Sequence, residues 1–166
     1  VAFWRIAMRP GRPMAVGRIA ATGLQAKTAP SAQPASAGSY QNDINTSTGG
    51  AVLFGLPGNP VAVMVTFLAY VRPALLRMMG STRTAPPLLR ATSTEAIRKK
   101  PGRTEYQRGT VTTGPDGSLQ VRTTGNQGSG VLSSMVQANG LIVLHHQQGN
   151  VAVGDAVDVM VFDGVI

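Results

Sequence analysis

The sequence has 166 residues, 43% of them hydrophobic, and no cysteine, which excludes a disulfide framework, a cysteine-based zinc site and a thiol nucleophile. Its 15 lysines and arginines against seven acidic residues give a formal charge of +8, which favours anionic ligands. This length predicts one domain or two small ones, and the lack of cysteine favours a cytoplasmic location.

The first 80 residues are predicted to be part of an α/β unit. Because the chain begins in mid-strand at Val1, we expect it to be the interior of a longer protein. Apolar runs are separated by Pro-Gly turns and by one stretch of Ala, Ser, Thr, Gln and Gly without periodicity. The predicted elements are a strand, a turn, a second strand, a disordered insertion and an apolar strand of the length typical of buried parallel strands, over residues 1–8, 9–13, 14–19, 20–50 and 51–56.

A helix is predicted to follow immediately. Asn59 can cap its start, Pro60 fits its first turn, and Gly80 fits a C-terminal cap. Pro73 should kink the helix near Ala69, since proline cannot donate to a carbonyl four residues back. Apolar residues recur at steps of three and four and predict one buried face, at Val61, Met64, Leu68, Val71, Leu75 and Met78.

We expect no membrane span. The longest uncharged stretch, between Asp43 and Arg72, is broken by glycine and proline near Pro57. What remains, residues 61–71, is shorter than the roughly 20 residues that a bilayer requires.

Beyond a linker at residues 81–87, the sequence changes to short strands and predicts an antiparallel barrel or sandwich over residues 88–166. Good turn residues separate the strands, as in Pro115-Asp116-Gly117. One short helix is expected over residues 129–138. The five predicted strands cover residues 89–97, 104–113, 118–123, 140–145 and 156–162.

Three segments are candidates for binding an oxyanion. Arg9 and Arg12 flank a turn stiffened by prolines, and guanidinium groups suit oxyanions, although two arginines on a loop are more often only solvated. The turn Gly55-Leu56-Pro57-Gly58-Asn59-Pro60 could direct backbone N–H groups at an anion, or be merely a tight turn. Arg108 and the loop leading to Ser129 form the third candidate, whose alternative is a turn with a capping serine.

We identify no candidate residues for metal binding or for acid–base catalysis in the sequence. His145 and His146 are adjacent on a strand and therefore point to opposite faces, and most of the acidic residues fall in turns. No catalytic residue and no metal ligand is assigned within the chain. Nucleic-acid binding is not favoured either, because basic residues are scattered, aromatic residues are few, and no RNA-binding or helix-turn-helix pattern occurs.

Five segments in the same order and spacing nevertheless resemble the C-terminal part of the molybdopterin molybdenumtransferases, the MoeA family that includes the gephyrin E domain. The resemblance covers nearly the whole chain except residues 20–50. It rests on Arg9-Pro10-Gly11-Arg12-Pro13, Gly55-Leu56-Pro57-Gly58-Asn59-Pro60, Gly102-Arg103-Thr104-Glu105-Tyr106-Gln107-Arg108-Gly109, Gly125-Asn126-Gln127-Gly128-Ser129 and Gly154-Asp155.

The resemblance implies a partial molybdopterin-binding α/β domain with a parallel sheet at residues 1–80, followed by a β-barrel domain at 88–166. It implies insertion of molybdenum from molybdate into adenylylated molybdopterin, with release of AMP and a need for Mg²⁺. It also implies a cytoplasmic homodimer that works beside a molybdopterin adenylyltransferase. The matching positions for molybdate are Arg9, Arg12, Pro13, Arg108 and Ser129, and those for the pterin-linked phosphate are Gly58 and Asn59.

Three departures from the family pattern bear on function. Arg9 and Arg12 stand where the family usually has Lys, and Ala62 stands where many members have Ser. The acidic residues that hold Mg²⁺ in the family lie upstream of Val1, so we expect the isolated chain to catalyse no measurable molybdenum insertion. The alternatives are a non-catalytic oxyanion-binding or scaffold module and a basic nucleic-acid-binding protein.

Overall fold

A computed structural model describes residues 2–20, 50–83, 85–128 and 131–162 of the chain. Two predictions fall on other residues. The disordered insertion at 20–50 lies outside the described residues except at its two ends, and so does Ser129.

The first sheet has three strands, in the order β1 (Ala2–Arg5), β3 (Pro13–Ala20) and β4 (Gly50–Gly55). Both pairings are antiparallel, with Val16 opposite Ala2 on one side and opposite Phe54 on the other. The expectation of a buried parallel strand at 51–56 is therefore wrong in direction and in burial, since Val52 and Leu53 are exposed. A run of apolar residues indicates a preference for a hydrophobic core. The direction of a strand depends instead on which neighbouring strand pairs with it.

The helix begins and ends where the sequence predicts. It consists of α1 (Pro60–Thr66), a π turn (Phe67–Val71) and α2 (Arg72–Met78). The Asn59 side chain accepts a hydrogen bond from the Ala62 N–H at 3.2 Å. Gly80 closes the helix at φ +84°, and its N–H bonds the Arg77 carbonyl. The irregularity expected near Ala69 is this π turn, which precedes Pro73.

Only half of the predicted apolar face is buried. The contact stripe passes through Val61, Val65 and Leu68 at steps of four and three, and it reaches Val71. Three residues of the predicted face are exposed instead, namely Met64, Leu75 and Met78. The π turn adds a residue to one turn and so rotates the face of α2 relative to that of α1.

The whole helix, Pro60–Met78, is 19 residues long, more than the 61–71 segment considered from sequence. By length and composition alone it could reach across a membrane, as the core helix of a soluble protein also could. Its Val61 and Leu68 side chains are buried within the fold, and it carries Arg72 and Arg77.

The second half of the chain forms a small closed barrel. Its strands are β5 (Leu89–Ser93), β6 (Thr104–Thr113), β7 (Leu119–Thr123), β8 (Gly140–Leu144) and β9 (Ala156–Val161), with the short helix α3 (Ser133–Gln137) before β8. The strands follow the order β6-β7-β5-β9-β8, and β8 pairs again with β6 to close the barrel. The predicted fold class, an α/β portion followed by a small β barrel, is confirmed.

Strand β8 separates two hydrophobic cores, because alternate side chains point to opposite faces of a strand. Ile142 and Leu144 lie inside the barrel with Val121, Val157 and Val159. Leu141 and Val143, also on β8, face outward. They pack against Val65 and Leu68 of the helix. The helix is therefore held against the outside of the barrel.

A two-residue strand, β2 (Met8–Arg9), ties the N-terminal region to the barrel. It pairs in parallel with β6, placing Met8 opposite Thr104 and Arg9 opposite Glu105. The Thr104 N–H also bonds the Ala7 carbonyl at 2.9 Å. The turn that follows β2 therefore lies where the barrel meets the helix. The boundaries 1–80, 81–87 and 88–166 stay predictions.

An ion-pair cluster on the barrel gives a pH prediction. Asp158 accepts from Arg90 at 2.9 Å and contacts His145 Nε2 at 2.6 Å, and these contacts, the one from His145 foremost, hold the pKa of Asp158 below its usual range. A depressed carboxyl pKa stabilises the folded state above the unfolded pKa, and this contribution is lost as pH falls through the folded pKa. We expect Asp158→Asn to lower the free energy of unfolding by about 1 kcal/mol at pH 7, because both partners are largely exposed.

Urea unfolding of both proteins between pH 7 and pH 2 measures this effect. The difference should shrink towards zero at the acid end. His145→Gln is the control that removes only the imidazole contact, and it should leave part of the difference intact. A difference that is the same at both ends of the range would contradict this account of Asp158.

Candidate functional site

The turn at residues 9–13 is fixed from both sides. The Ile6 N–H bonds the Arg12 carbonyl at 2.8 Å, across the turn, while Arg9 belongs to β2 on the barrel side. Gly11 is buried against the helix at φ +98°, and a Cβ atom there would overlap the Thr66 hydroxyl. Only glycine combines this conformation with so close an approach. The backbone of the turn that carries the exposed Arg9 and Pro13 is therefore set by packing.

The second turn leads from β4 into α1. Asn59 caps the helix with its own side chain, so the Ala62 N–H is already bonded. Pro60 has no N–H at all. This turn therefore offers an anion fewer backbone donors than the sequence pattern indicates. Its contribution to a site comes mainly from the exposed Gly58 and the half-buried Asn59.

A cavity of about 340 Å³ lies between the two turns. It brings together four of the predicted binding residues, Arg9, Pro13, Gly58 and Asn59. Gln127, from a loop of the barrel, also lines this cavity. Ala62 also lines the cavity, so the hydroxyl that serine would supply at that position is missing from this wall.

Gln127 holds the loop at residues 125–128 to Arg108 through both the oxygen and the nitrogen of its side-chain amide. Its Oε1 accepts from the Arg108 N–H at 2.8 Å, and its Nε2 donates to the Arg108 carbonyl at 3.0 Å. The Asn126 side chain accepts from the Gly128 N–H at 2.8 Å and tightens the loop further. This pairing extends the hydrogen bonding of β6 into the loop and holds the loop at the cavity wall.

Arg108 lies behind this loop, 1% exposed. Its Nη2 donates to the carbonyls of Asn126 and Gly128 at 2.9 and 3.1 Å, and its Nε has no acceptor. No carboxylate pairs with it in the described part of the chain. Burial lowers the pKa of the guanidinium, but arginine stays charged in proteins. A buried cation without a counter-charge favours an anion nearby.

The structure thus unites some of the predicted site residues and separates others. Arg9, Pro13, Gly58 and Asn59 line one cavity. Arg12 is exposed and does not line it, and Arg108 is buried behind the loop. The role of Gln127 was missed, although its place between Asn126 and Gly128 in a polar, glycine-rich run was a usable signal.

Within the described ranges, no three His, Asp or Glu side chains converge as a metal site would require. His145 is held by Asp158. Glu95 accepts from the Thr123 N–H at 2.6 Å, and Glu105 is paired with Arg103. These three carboxylates, Asp158, Glu95 and Glu105, therefore serve structural contacts.

Comparison with protein families supports the resemblance. Residues 90–162 match the family model of the MoeA C-terminal region, domain IV. The chain is 32% identical over 167 residues to a molybdopterin molybdenumtransferase of Haemophilus influenzae, an alignment that covers all of this chain and 34% of that protein. It is 33% identical over 113 residues to gephyrin of Dictyostelium discoideum, covering 64% of this chain and 16% of that protein. The chain spans about a third of the Haemophilus protein, and less of the other.

Solved structures share the fold. The molybdopterin biosynthesis MoeA protein of Pyrococcus horikoshii superposes with a TM-score of 0.62 at 21% identity, over 96% of this chain and 32% of that one. A molybdenum cofactor biosynthesis protein of Pyrococcus furiosus gives a TM-score of 0.62 at 24% identity, over 97% of this chain and 46% of that one.

Proposed function

Because residues 90–162 belong to the MoeA C-terminal region and the whole chain resembles the C-terminal part of a molybdopterin molybdenumtransferase, we propose that it serves molybdenum cofactor biosynthesis. The observation that carries the proposal is the cavity between the two turns. It places a guanidinium, Arg9, between a proline-stiffened turn and the start of a helix. Such a cavity suits a small tetrahedral oxyanion.

The reaction proposed for the full-length protein is insertion of molybdenum from molybdate into adenylylated molybdopterin, with release of AMP. Here molybdate and adenylylated molybdopterin are substrates. Arg9 is suited to bind an oxyanion by bidentate hydrogen bonds, with Pro13 shaping the wall beside it. Arg12 approaches from the exposed side of the turn, and Arg108 supplies positive charge from behind the loop that leads to Ser129. Gly58 and Asn59 would face the phosphate that is linked to the pterin.

Mg²⁺ takes oxygen ligands, mostly carboxylates and water, and would neutralise charge at the adenylyl phosphate. The described residues do not fit it, because their carboxylates are scattered and several are already bonded. The proposal therefore places the Mg²⁺ ligands outside these residues and assigns no step to the ion here. A homodimer, a molybdopterin adenylyltransferase partner and a cytoplasmic location belong to the same proposal.

Titration calorimetry of molybdate, tungstate and a short RNA tests the proposal. We expect molybdate to bind, and Arg9→Gln to weaken binding about tenfold, since a hydrogen bond to a charged group contributes about 1.5–3 kcal/mol. Arg12→Ala should have a smaller effect, because Arg12 does not line the cavity.

Arg77→Gln is the matched control, since it removes one exposed positive charge from α2, and Arg77 does not line the cavity. It should leave molybdate binding unchanged. Tight binding of RNA with steep salt dependence, without binding of molybdate, would refute the proposal in favour of nucleic-acid binding.

A further inference from the structure

A second cavity, of about 500 Å³, opens beside the first, and its lining is strongly basic. It shares Arg9, Pro10 and Gln127 with the smaller cavity. Its volume lies within the range of about 300–1,000 Å³ that is typical of small-molecule sites. Its charged lining residues are Arg9, Arg98, Lys99, Lys100, Arg103 and Glu105.

Lys99 is the unusual member of this lining, because it is only 4% exposed. Its Nζ donates to the carbonyls of Lys100 and Gln148 at 2.8 and 3.2 Å, and no carboxylate pairs with it in the described part of the chain. An ammonium group has three donors, so one is left over. A buried charge held only by carbonyl dipoles is costly unless an anion compensates it.

The one acidic residue of the lining does not supply that compensation. Glu105 is bonded to Arg103 Nε at 2.8 Å and lies 3.4 Å from Gln107 Nε2. Glu105 therefore neutralises Arg103 and not Lys99. Four cations of the lining, Arg9, Arg98, Lys99 and Lys100, have no carboxylate partner among the described residues.

The geometry points to this cavity as a binding site for a multivalent phosphate anion, of which diphosphate is the simplest example. The four cations without a carboxylate partner carry more positive charge than one divalent tetrahedral anion would neutralise. The cavity is also larger than the one beside it, about 500 Å³ against about 340 Å³. Lys99 is the buried cation of the lining, while Arg98 and Lys100 are exposed and reach the ligand from the rim. The inference stands without the proposed molybdate site, with which it shares Arg9.

Titration calorimetry of inorganic pyrophosphate against the chain tests this site. We expect one bound pyrophosphate per chain and weaker binding at high salt. Lys99→Met should weaken it at least about tenfold, since a hydrogen bond to a charged group is lost. Lys100→Gln should weaken it about two- to fivefold, as for an exposed pair. Arg77→Gln should not change it.

Lys99→Met leaves two carbonyls without a donor, so the double variant Arg98→Gln/Lys100→Gln, which changes only exposed side chains, provides the second test. Binding that is insensitive to this double variant would overturn the inference. Displacement of pyrophosphate by molybdate in a one-to-one ratio would also overturn it, because the two anions would then share one site. Simultaneous binding supports it, and loss of molybdate binding alone would refute only the proposed function.

Discussion

Gly11→Ala is expected to lower the free energy of unfolding by about 2–5 kcal/mol. A residue other than glycine in this left-handed conformation costs about 1–2 kcal/mol. The added methyl group would also overlap the Thr66 hydroxyl and come within 3.3 Å of Met8 Cε, and overpacking of a core costs about 1–3 kcal/mol. Thr66 is fully buried and cannot move aside into solvent.

Gly102→Ala separates the two causes. Gly102 has almost the same φ, +100°, but a Cβ atom at this position would have no neighbouring atom within 4 Å. It should therefore lose only the conformational part, about 1–2 kcal/mol. Urea unfolding followed by circular dichroism measures both variants. Equal losses at the two glycines would show that contact with Thr66 contributes nothing.

A double variant tests the contact directly. Thr66→Ala removes a buried hydroxyl that has no hydrogen-bond partner, so it frees space beside Gly11. The loss caused by Gly11→Ala should be smaller in the Thr66→Ala background than in the parent chain, by the free energy of the overlap. Two effects that simply add would contradict the proposed overlap.

Local signals in the sequence predicted local structure well. Asn59-Pro60 marks the first turn of the helix, Gly80 marks its end, and the bounds of β6 match the predicted 104–113. In each case the residues that decide the outcome lie within a few positions of one another. A cap requires one side chain and one N–H group, and turn residues limit a strand wherever its partners lie.

Features that depend on distant partners were missed. The pairing of β2 with β6 joins residues almost 100 positions apart, and two residues carry no periodicity that could reveal it. The direction of β4 depends on its contact with β3. Arg108 was predicted as a ligand-binding cation from its type, whereas its burial depends on a loop some 20 residues later.

Arg108→Met is expected to weaken molybdate binding at least about tenfold while the chain remains folded. Methionine keeps much of the volume but removes the buried positive charge that lies directly behind the loop at residues 125–128. The carbonyls of Asn126 and Gly128 lose their donor, and we expect a loss of about 1–3 kcal/mol of stability. This loss is limited because desolvation of an unpaired charge is relieved at the same time.

Gln127→Leu distinguishes the charge of Arg108 from its effect on the loop. Gln127 bonds the backbone of Arg108 and the Gly125 carbonyl, and not the guanidinium, so its replacement loosens the loop but leaves the guanidinium in place. Hydrogen exchange of the loop amides should accelerate in both variants. Only Arg108→Met should also reduce the salt dependence of molybdate binding, because only it removes a charge that acts on the anion.

Two results would contradict a direct electrostatic role for Arg108. One is molybdate binding by Arg108→Met as tight as in the parent chain. The other is an equal loss of affinity in Arg108→Met and Gln127→Leu with unchanged salt dependence, which would make Arg108 a positioning residue for the loop. The electrostatic account is favoured because Arg108 is buried without a carboxylate partner in the described ranges, and its Nε is still without an acceptor. A residue needed only to hold the loop would gain nothing from an unpaired charge, since a neutral donor could bond the same carbonyls without the desolvation penalty.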